Sequence, residues 1–407
     1  MNDSHVHADA RLRRAALFAL FFVPGLGISS WVTRTPAIRD LLVASTAEVG
    51  LVLLGLSVGS MAGILSSGAL VARFGTRPIV LVGTLLTVLS MPTIGWGAAA
   101  GEPIVVAAGL FLFGTGMGGG EVALNVEGAD VEQILGRPVL PALHGFFSLG
   151  TVVGATAGIV FTANRFSVVN HLLIVGAIAT VILVVAIRSI SPGVGKLARN
   201  DATRSAASQR GVGSLMRDGR LLIIGAVVLA MALAEGTAND WLPLLMVDGH
   251  GFNAALGSTI YAVFAASMTI GRFCGGWFVT RFGRAAVLCA SAIAGAAGLA
   301  IVIFAENQVA AGAAVILWGL GASLGFPVAL SAAGASGVDS AARVSLVATI
   351  GYVAFLVGPP VLGFLGEHFG LRAALIVPLV FVLAAALLAP RISQRPSRRS
   401  YHVPDPR

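Results

Sequence analysis

The sequence is poor in charge: only 11% of its 407 residues are Asp, Glu, Lys or Arg, against about a quarter in a typical soluble domain. With 57% of the chain hydrophobic, so few charges cannot cover the apolar surface of a water-soluble fold, and that class is excluded. Cysteine is scarcer still. Cys274 and Cys289 alone occur, both inside apolar stretches, so neither a disulfide framework nor a metal cluster is available. A Walker loop, a zinc motif and a nucleophile elbow are also missing, which argues against an ATP-driven pump, a metalloenzyme or a hydrolase. The expectation is a protein that is not an enzyme and holds no cofactor and no metal.

The net charge of +8 would, in a soluble chain, raise the question of nucleic acid. Here the basic residues sit between apolar blocks and at the two tails, where anionic headgroups and membrane topology account for them, and no aromatic-basic patch accompanies them. Nucleic acid is therefore not an expected partner, whereas the lipid bilayer is.

What is present is a succession of apolar blocks about twenty residues long, the length a helix needs to cross a hydrocarbon core of about 30 Å. Charged residues, Pro and Gly clusters divide them into helices over 14–34, 48–72, 79–100, 104–127, 139–163 and 168–188, then 220–247, 254–280, 284–305, 309–334, 343–366 and 371–390. The apolar stretch after Arg11, Arg13 and Arg14 resembles a signal peptide, but it runs on to Trp31 without a cleavage site, so it reads as the first membrane helix. Ser189 to Gly219 is polar and basic without apolar periodicity and reads as a linker. The expected organisation is a six-helix half over 1–188, a linker over 189–219, a second half over 220–390 and a tail over 391–407.

Orientation follows from the connections, because Lys and Arg are retained on the cytoplasmic side during insertion. With the N-terminus inside, 21 basic residues fall on the inner side and four (Arg34, Arg39, Arg165 and Arg372) on the outer side. Both termini and the linker are thus expected in the cytoplasm, and the chain in the cytoplasmic (inner) membrane.

The two halves repeat one another. GALVARFG at Gly68 to Gly75 recurs 208 residues later as GWFVTRFG at Gly276 to Gly283, each just after the second helix of its half. At the same offset Gly150 meets Gly358 and Gly158 meets Gly366. Two parallel repeats are the expected architecture.

These loops resemble the signature G-x-x-x-D-R-x-G-R-R/K of the major facilitator superfamily. Gly68, Arg73, Gly75 and Arg77 fit it, while Ala72 and Thr280 stand where the family has its acid. The resemblance spans the chain and implies an all-α membrane protein with twelve transmembrane helices in two pseudo-symmetric six-helix halves. It also implies that Arg73, Arg77, Arg281 and Arg284 belong to gating loops; helix C-terminal capping and plain topogenic charge are the other readings. A narrower resemblance lies in the fourth and fifth helices. Gly118, Glu121 and Asn125 are similar to the G-x-x-E-x-x-x-N stretch of the fucose-proton symporter branch, and His144, Phe146, Ser148 and Gly150 to its Q-x-F-x-S-x-G, with His for Gln. Val32 replaces an acid that those symporters use, so sugar identity and proton coupling do not transfer.

Ionisable residues inside a bilayer cost about 2.5 to 3.5 kcal/mol on insertion scales, so those that persist face a cavity or a partner. Glu121, about 25 Å into its helix, is the clearest candidate for proton carriage or substrate contact, with a structural acid as the alternative. Asn125 shares its face at i+4, and His144 titrates near neutral pH and is placed to face Glu121. In the second half Glu235 lies about 21 Å into its helix, with Asn239 at i+4, an echo of Glu121 and Asn125. Glu127 reads as a solvated or gate residue near the cytoplasmic boundary, Asp240 and Trp241 as outer interfacial residues. Arg272 either snorkels inward, the favoured reading, or pairs with a buried acid. Arg34 either draws an anionic substrate, pairs with Asp40, or is an interfacial cation. Gly114, Gly116 and Gly119 match a dinucleotide fingerprint in spacing, but no strand precedes them; like Gly55, Gly59 and Gly63 they are expected to let helices approach closely.

The functional expectation is a secondary active transporter working by alternating access, moving a small polar solute such as a sugar or related metabolite, and coupled to protons. Efflux of a drug or metabolite is the alternative, and a non-transporting membrane sensor the more distant one.

Overall fold

A computed structural model describes residues 3–136, 139–196, 215–335 and 340–392. Among them are twelve helices long and apolar enough to cross a membrane. They are α1 (Asp3–Val32), α2 (Thr46–Phe74), α3 (Thr76–Ala99), α4 (Pro103–Leu135), α5 (Leu140–Ala163), α6 (Val168–Ala186), α7 (Gly219–Leu244), α8 (Ala254–Phe282), α9 (Arg284–Phe304), α10 (Gln308–Gly334), α11 (Ser340–Phe369) and α12 (Ile376–Leu388), the last being the longest part of a span that runs over Leu371–Ile392. A short helix, Thr35–Leu42, follows α1 and was not anticipated. Pro36 in its first turn fixes φ and needs no donor, so the residue that ends one helix begins the next.

The helices start where polar side chains satisfy the free N–H groups. Ser45 and Glu48 form a reciprocal capping box on α2, Asn253 caps α8, Asn307 caps α10 and Asp218 caps α7. At the repeated loops, α2 and α8 end on glycines of nearly the same conformation, Gly75 at φ 86° and Gly283 at φ 79°. A side chain at either position would be strained.

Packing repeats as the sequence does. In the first half α1 packs on α5, α2 and α3 on α4, and α3 on α6; in the second α7 packs on α11, α8 and α9 on α10, and α9 on α12. The halves join through two equivalent pairs, α2 with α11 and α5 with α8. Close approach rests on small residues. A Cβ added at Gly55, Gly59 or Gly63 of α2 would run into the α4 backbone at Ala107, Phe111 and Thr115, and Gly114 and Gly118 of α4 answer against Leu56 and Ser60. The glycines that mimic a dinucleotide fingerprint are therefore helix-packing residues.

Two helices overrun the expected boundaries. α1 begins at Asp3 rather than near 14, and α4 runs to Leu135 rather than 127. The overhangs hold one another: buried Arg13 donates to Glu127 at 2.6 Å and to Asp130 at 2.6 Å. Glu127 is fully enclosed and also accepts from the Thr76 hydroxyl at 2.6 Å and the Ser191 amide at 3.2 Å. The solvated or gate role expected for Glu127 is corrected. It is the anionic centre of a cluster that fastens α1, α4, the α2–α3 loop and the chain after α6.

Candidate functional site

With an even number of spans, both ends of the described chain lie on one face, here the terminal face; the opposite one is the distal face. Four hydrogen bonds join the halves among the described residues. Arg39 donates to Asp248, the Ala47 amide to Glu367 at 3.3 Å, the Ser258 hydroxyl to the Thr33 carbonyl at 2.8 Å and Ser57 to the Phe355 carbonyl at 2.6 Å. All lie in the distal half or at mid-depth. Below them, toward the terminal face, no hydrogen bond joins the halves among the described residues.

The candidate residues gather there. Glu121, in the middle of α4, and His144, in the second turn of α5, are exposed, and the charge of Arg272, on α8 of the other half, reaches both. Arg272 donates to Glu235 of α7 at 2.8 Å, with the Glu235 side chain 12% exposed. The snorkelling favoured for Arg272 is therefore corrected: it pairs with a half-buried acid, since a charge left unpaired within the membrane span costs more than the pair. Tyr352 on α11 lies within reach of the Glu121 charge. His144 also sets its ring edge-on to Phe21, centroids 5.3 Å apart. Asn125 and Asn239 are half-buried one turn from Glu121 and Glu235, and neither amide makes a hydrogen bond among the described residues. The arrangement is a cation shared by its own half's acid and an acid of the facing half, ringed by neutral polar groups.

Other expectations fall elsewhere. Arg34 is 4% exposed and donates to Thr162 at 3.2 Å and to the Phe166 carbonyl. It sits at the α5–α6 corner near buried His171, not between the halves. Of the three readings open for it, pairing with Asp40 is corrected, since Asp40 accepts from Arg39 at 2.8 Å. Of the loop arginines, Arg73 lies over the Phe74 ring at 5.1 Å, Arg281 over Phe282 at 6.0 Å, and Arg284 donates to Ser331 at 3.0 Å. None of these, nor Arg77, makes an ion pair among the described residues, and none caps a helix C-terminus there. Asp240, expected at the outer interface, is 7% exposed, and Trp241 is fully buried; both assignments are corrected. No group of three or more metal-binding side chains occurs among the described residues.

Sequence reasoning missed Arg39, Asp248 and Tyr352 as parts of this arrangement. Their positions are unexceptional along the chain, and only the folded packing of one half on the other brings them into play.

The chain is 31% identical to an uncharacterised MFS-type transporter of Yersinia pestis, over 92% of this chain and 94% of that one. A family model described as Major Facilitator Superfamily matches residues 142–342. Among solved structures, the fold is similar to a mutant of the nucleoside transporter NupG, with a TM-score of 0.78 at 14% identity, covering 94% of this chain and all of that one (100%). It is also similar to a variant of the E. coli fucose:proton symporter FucP, with a TM-score of 0.61 at 19% identity, covering 94% and 98%. The chain therefore belongs to the major facilitator superfamily and is a multi-pass membrane transporter, not an enzyme.

Proposed function

We propose that this transporter moves a small polar solute, a sugar or nucleoside-like metabolite, by proton-coupled alternating access. The terminal face is the cytoplasmic one, in keeping with the 21 basic residues on that side of the sequence, and the membrane is the inner membrane. Residues 1–188 and 220–390 act as the two rocking bodies, with 189–219 as the cytoplasmic linker and 391–407 as the cytoplasmic tail. Ser205 and Ser400, natural labelling sites for this topology, lie outside the described residues.

The observation that carries the reading is Arg272, bonded to Glu235 in its own half while Glu121 faces it from the other. A cation held between two acids couples their states: neutralising one by a proton or by a solute hydroxyl hands the arginine to the other. Glu121 is the principal coupling or substrate-binding acid and Glu235 its rival. Asn125, His144 and Asn239 supply directional hydrogen bonds to a hydroxylated solute. Relatives in fold, a nucleoside transporter, a fucose:proton symporter and a D-xylose-proton symporter, favour the same solute class.

The test is a panel of nucleosides, fucose and D-xylose against purified protein, read as thermal stabilisation, then uptake by proteoliposomes under an imposed pH gradient. Glu121→Gln is expected to retain binding and lose at least tenfold in gradient-driven accumulation. If it accumulates normally while Glu235→Gln does not, coupling belongs to α7. Accumulation of amphipathic drugs alone would replace the reading with efflux.

A further inference from the structure

Beyond the Arg272 cluster, one carboxyl is enclosed without any cation. Asp240 lies five residues after Glu235 on α7, about 7.5 Å further toward the distal face, and is 7% exposed. No hydrogen bond or ion pair reaches its carboxyl among the described residues. The titratable groups on the elements around it make the contrast plain. On α8, Arg272 is bonded to Glu235; on α11, Glu367 accepts from the Ala47 amide and Tyr352 belongs to the Glu121 side. At the α1 end, Arg34 turns to Thr162 and Phe166, and Arg39 is engaged by Asp40 and Asp248. The group that does share its surroundings is Tyr261 of α8, 1% exposed and within electrostatic reach of both Asp240 and Glu235. α10 and α12, which also pack on α7, carry no charged residue within Gln308–Gly334 and Ile376–Leu388.

We propose that Asp240 is the distal proton-carrying residue of this transporter, holding a proton while the distal face is closed and passing it by way of Tyr261 toward Glu235. The inference rests on the proton-coupled reading above and adds a residue to it. An uncompensated carboxylate in an enclosed apolar site is strongly disfavoured, so the neutral acid is the form this conformation stores. Asp240 lies beneath the closure made by Arg39, Asp248, Ser258 and Thr33, so opening the distal face admits water to it, and closing strands the proton. Since no hydrogen bond links these three groups among the described residues, transfer follows a rearrangement or the entry of water that connects them: the O–H bond of Asp240 then breaks, the Tyr261 hydroxyl accepts that proton while releasing its own, and an O–H bond forms on Glu235. Charge moves from Glu235 to Asp240 and no electron is exchanged. Protonated Glu235 frees Arg272 for Glu121, which links the proton to the opposed half.

The test is infrared spectroscopy of the purified full-length protein, following the carbonyl stretch of a protonated carboxyl. The band is expected in the wild type, in Glu121→Gln and in Glu235→Gln, and lost in Asp240→Asn. Asp240→Glu, which keeps the acid, should restore it and guards against simple misfolding. Loss of the Arg39 pair in Arg39→Gln should speed its shift on transfer to D2O by up to about fivefold. A band that survives Asp240→Asn, or that vanishes with Glu121→Gln instead, overturns the proposal. In proteoliposomes holding the labelled nucleoside or sugar that binds best in the panel, Asp240→Asn should keep solute exchange and lose accumulation under a pH gradient at least tenfold. Unchanged accumulation overturns the assignment to Asp240 and leaves coupling standing. Wild-type exchange that ignores the gradient removes coupling itself, and proton carriage with it.

Discussion

At the distal end α2 and α11 touch backbone to backbone, whereas toward the terminal end no hydrogen bond joins the halves among the described residues. There α5 meets α8 through a ring tip, the Phe273 edge lying 3.3 Å from where a Cβ on Gly145 would stand. A Cβ added to Gly50 of α2 would lie 2.8 Å from the Pro359 carbonyl and 3.1 Å from the Gly363 Cα, both on α11. At the other ends of the equivalent helices α2 and α8, a Cβ at Gly68 or Gly276 would meet nothing within 4 Å, and Leu65 and Trp277 are 65% and 64% exposed. The same two helices thus carry a tight contact at one end and an unpartnered surface at the other. Closure at the distal face is built from small residues and a few hydrogen bonds, so it is reversible in a way that a large apolar interface would not be. The two repeats share their packing pairs; what differs is the two ends of the seam, tight at the distal end and loose toward the terminal one.

The strongest way to break this difference is to wedge the distal contact. Gly50→Leu adds a side chain where even a methyl group is crowded by backbone, and overpacking of this kind costs about 1 to 3 kcal/mol. Since about 1.4 kcal/mol is a factor of ten in a population, the balance should swing toward distal opening and terminal closure. Spin labels at Phe74→Cys and Phe282→Cys, with Cys274 and Cys289 replaced by serine, report the span between the two repeated loops. The expected outcome is a shorter distance in Gly50→Leu and a smaller shift in Gly50→Ala. A folded Gly50→Leu protein with an unchanged distance would mean that α2 and α11 do not hold the distal face closed.

A gentler perturbation is the Arg39 and Asp248 pair that bridges the halves nearer the surface. Both side chains retain contact with water, at 20% and 32% exposure, so their coupling should be about 0.2 to 1 kcal/mol and screened by salt. A double-mutant cycle with Arg39→Ala and Asp248→Ala, read from the same label distance, should show that coupling and its decline at high ionic strength. Arg39→Ala is expected to shift the distance less than Gly50→Leu. A larger shift would make the ion pair, not the backbone contact, the principal distal closure.

The fold was legible because hydrocarbon thickness dictates helix length, and most of the expected helix ends fall within a few residues of those observed. The exceptions are α1 and α4, whose charged overhangs look soluble in sequence and are helical because Arg13 meets Glu127 and Asp130. That meeting joins residues more than a hundred positions apart, and no periodicity announces it. The site was legible by type rather than by partner. Intramembrane rarity singled out Glu121 and Glu235, but the same rule applied to Arg272 gave no hint that it would choose Glu235. Asp240 was misread because distance along a helix locates depth in the bilayer, whereas enclosure depends on which neighbours close over it.

The smallest effect expected is at the terminal face, where Asp218 ties α7 to α11 inside one half. It accepts from Arg343 at 2.7 Å and from the amides of Arg220 and Leu221 at 3.0 and 3.1 Å. The Arg343 hydrogen bond, seconded by those amides, holds the Asp218 carboxyl below its usual range against the opposing effect of burial. A carboxyl that titrates lower in the folded than in the unfolded chain adds stability above its unfolded pKa of about 3.9. That stability drains away as pH falls through the folded value. Asp218→Asn keeps part of the cap and loses the ion pair, so it should cost at most about 1 kcal/mol near neutral pH. The gap from wild type in apparent Tm should narrow as the buffer is made more acidic. The label distance between the loops should stay where it is in the wild type, because both partners ride on the same half. If Asp218→Asn shortened that distance as Gly50→Leu is expected to, the terminal face would be held open by contacts within the second half, and the distal contact would not by itself set the state.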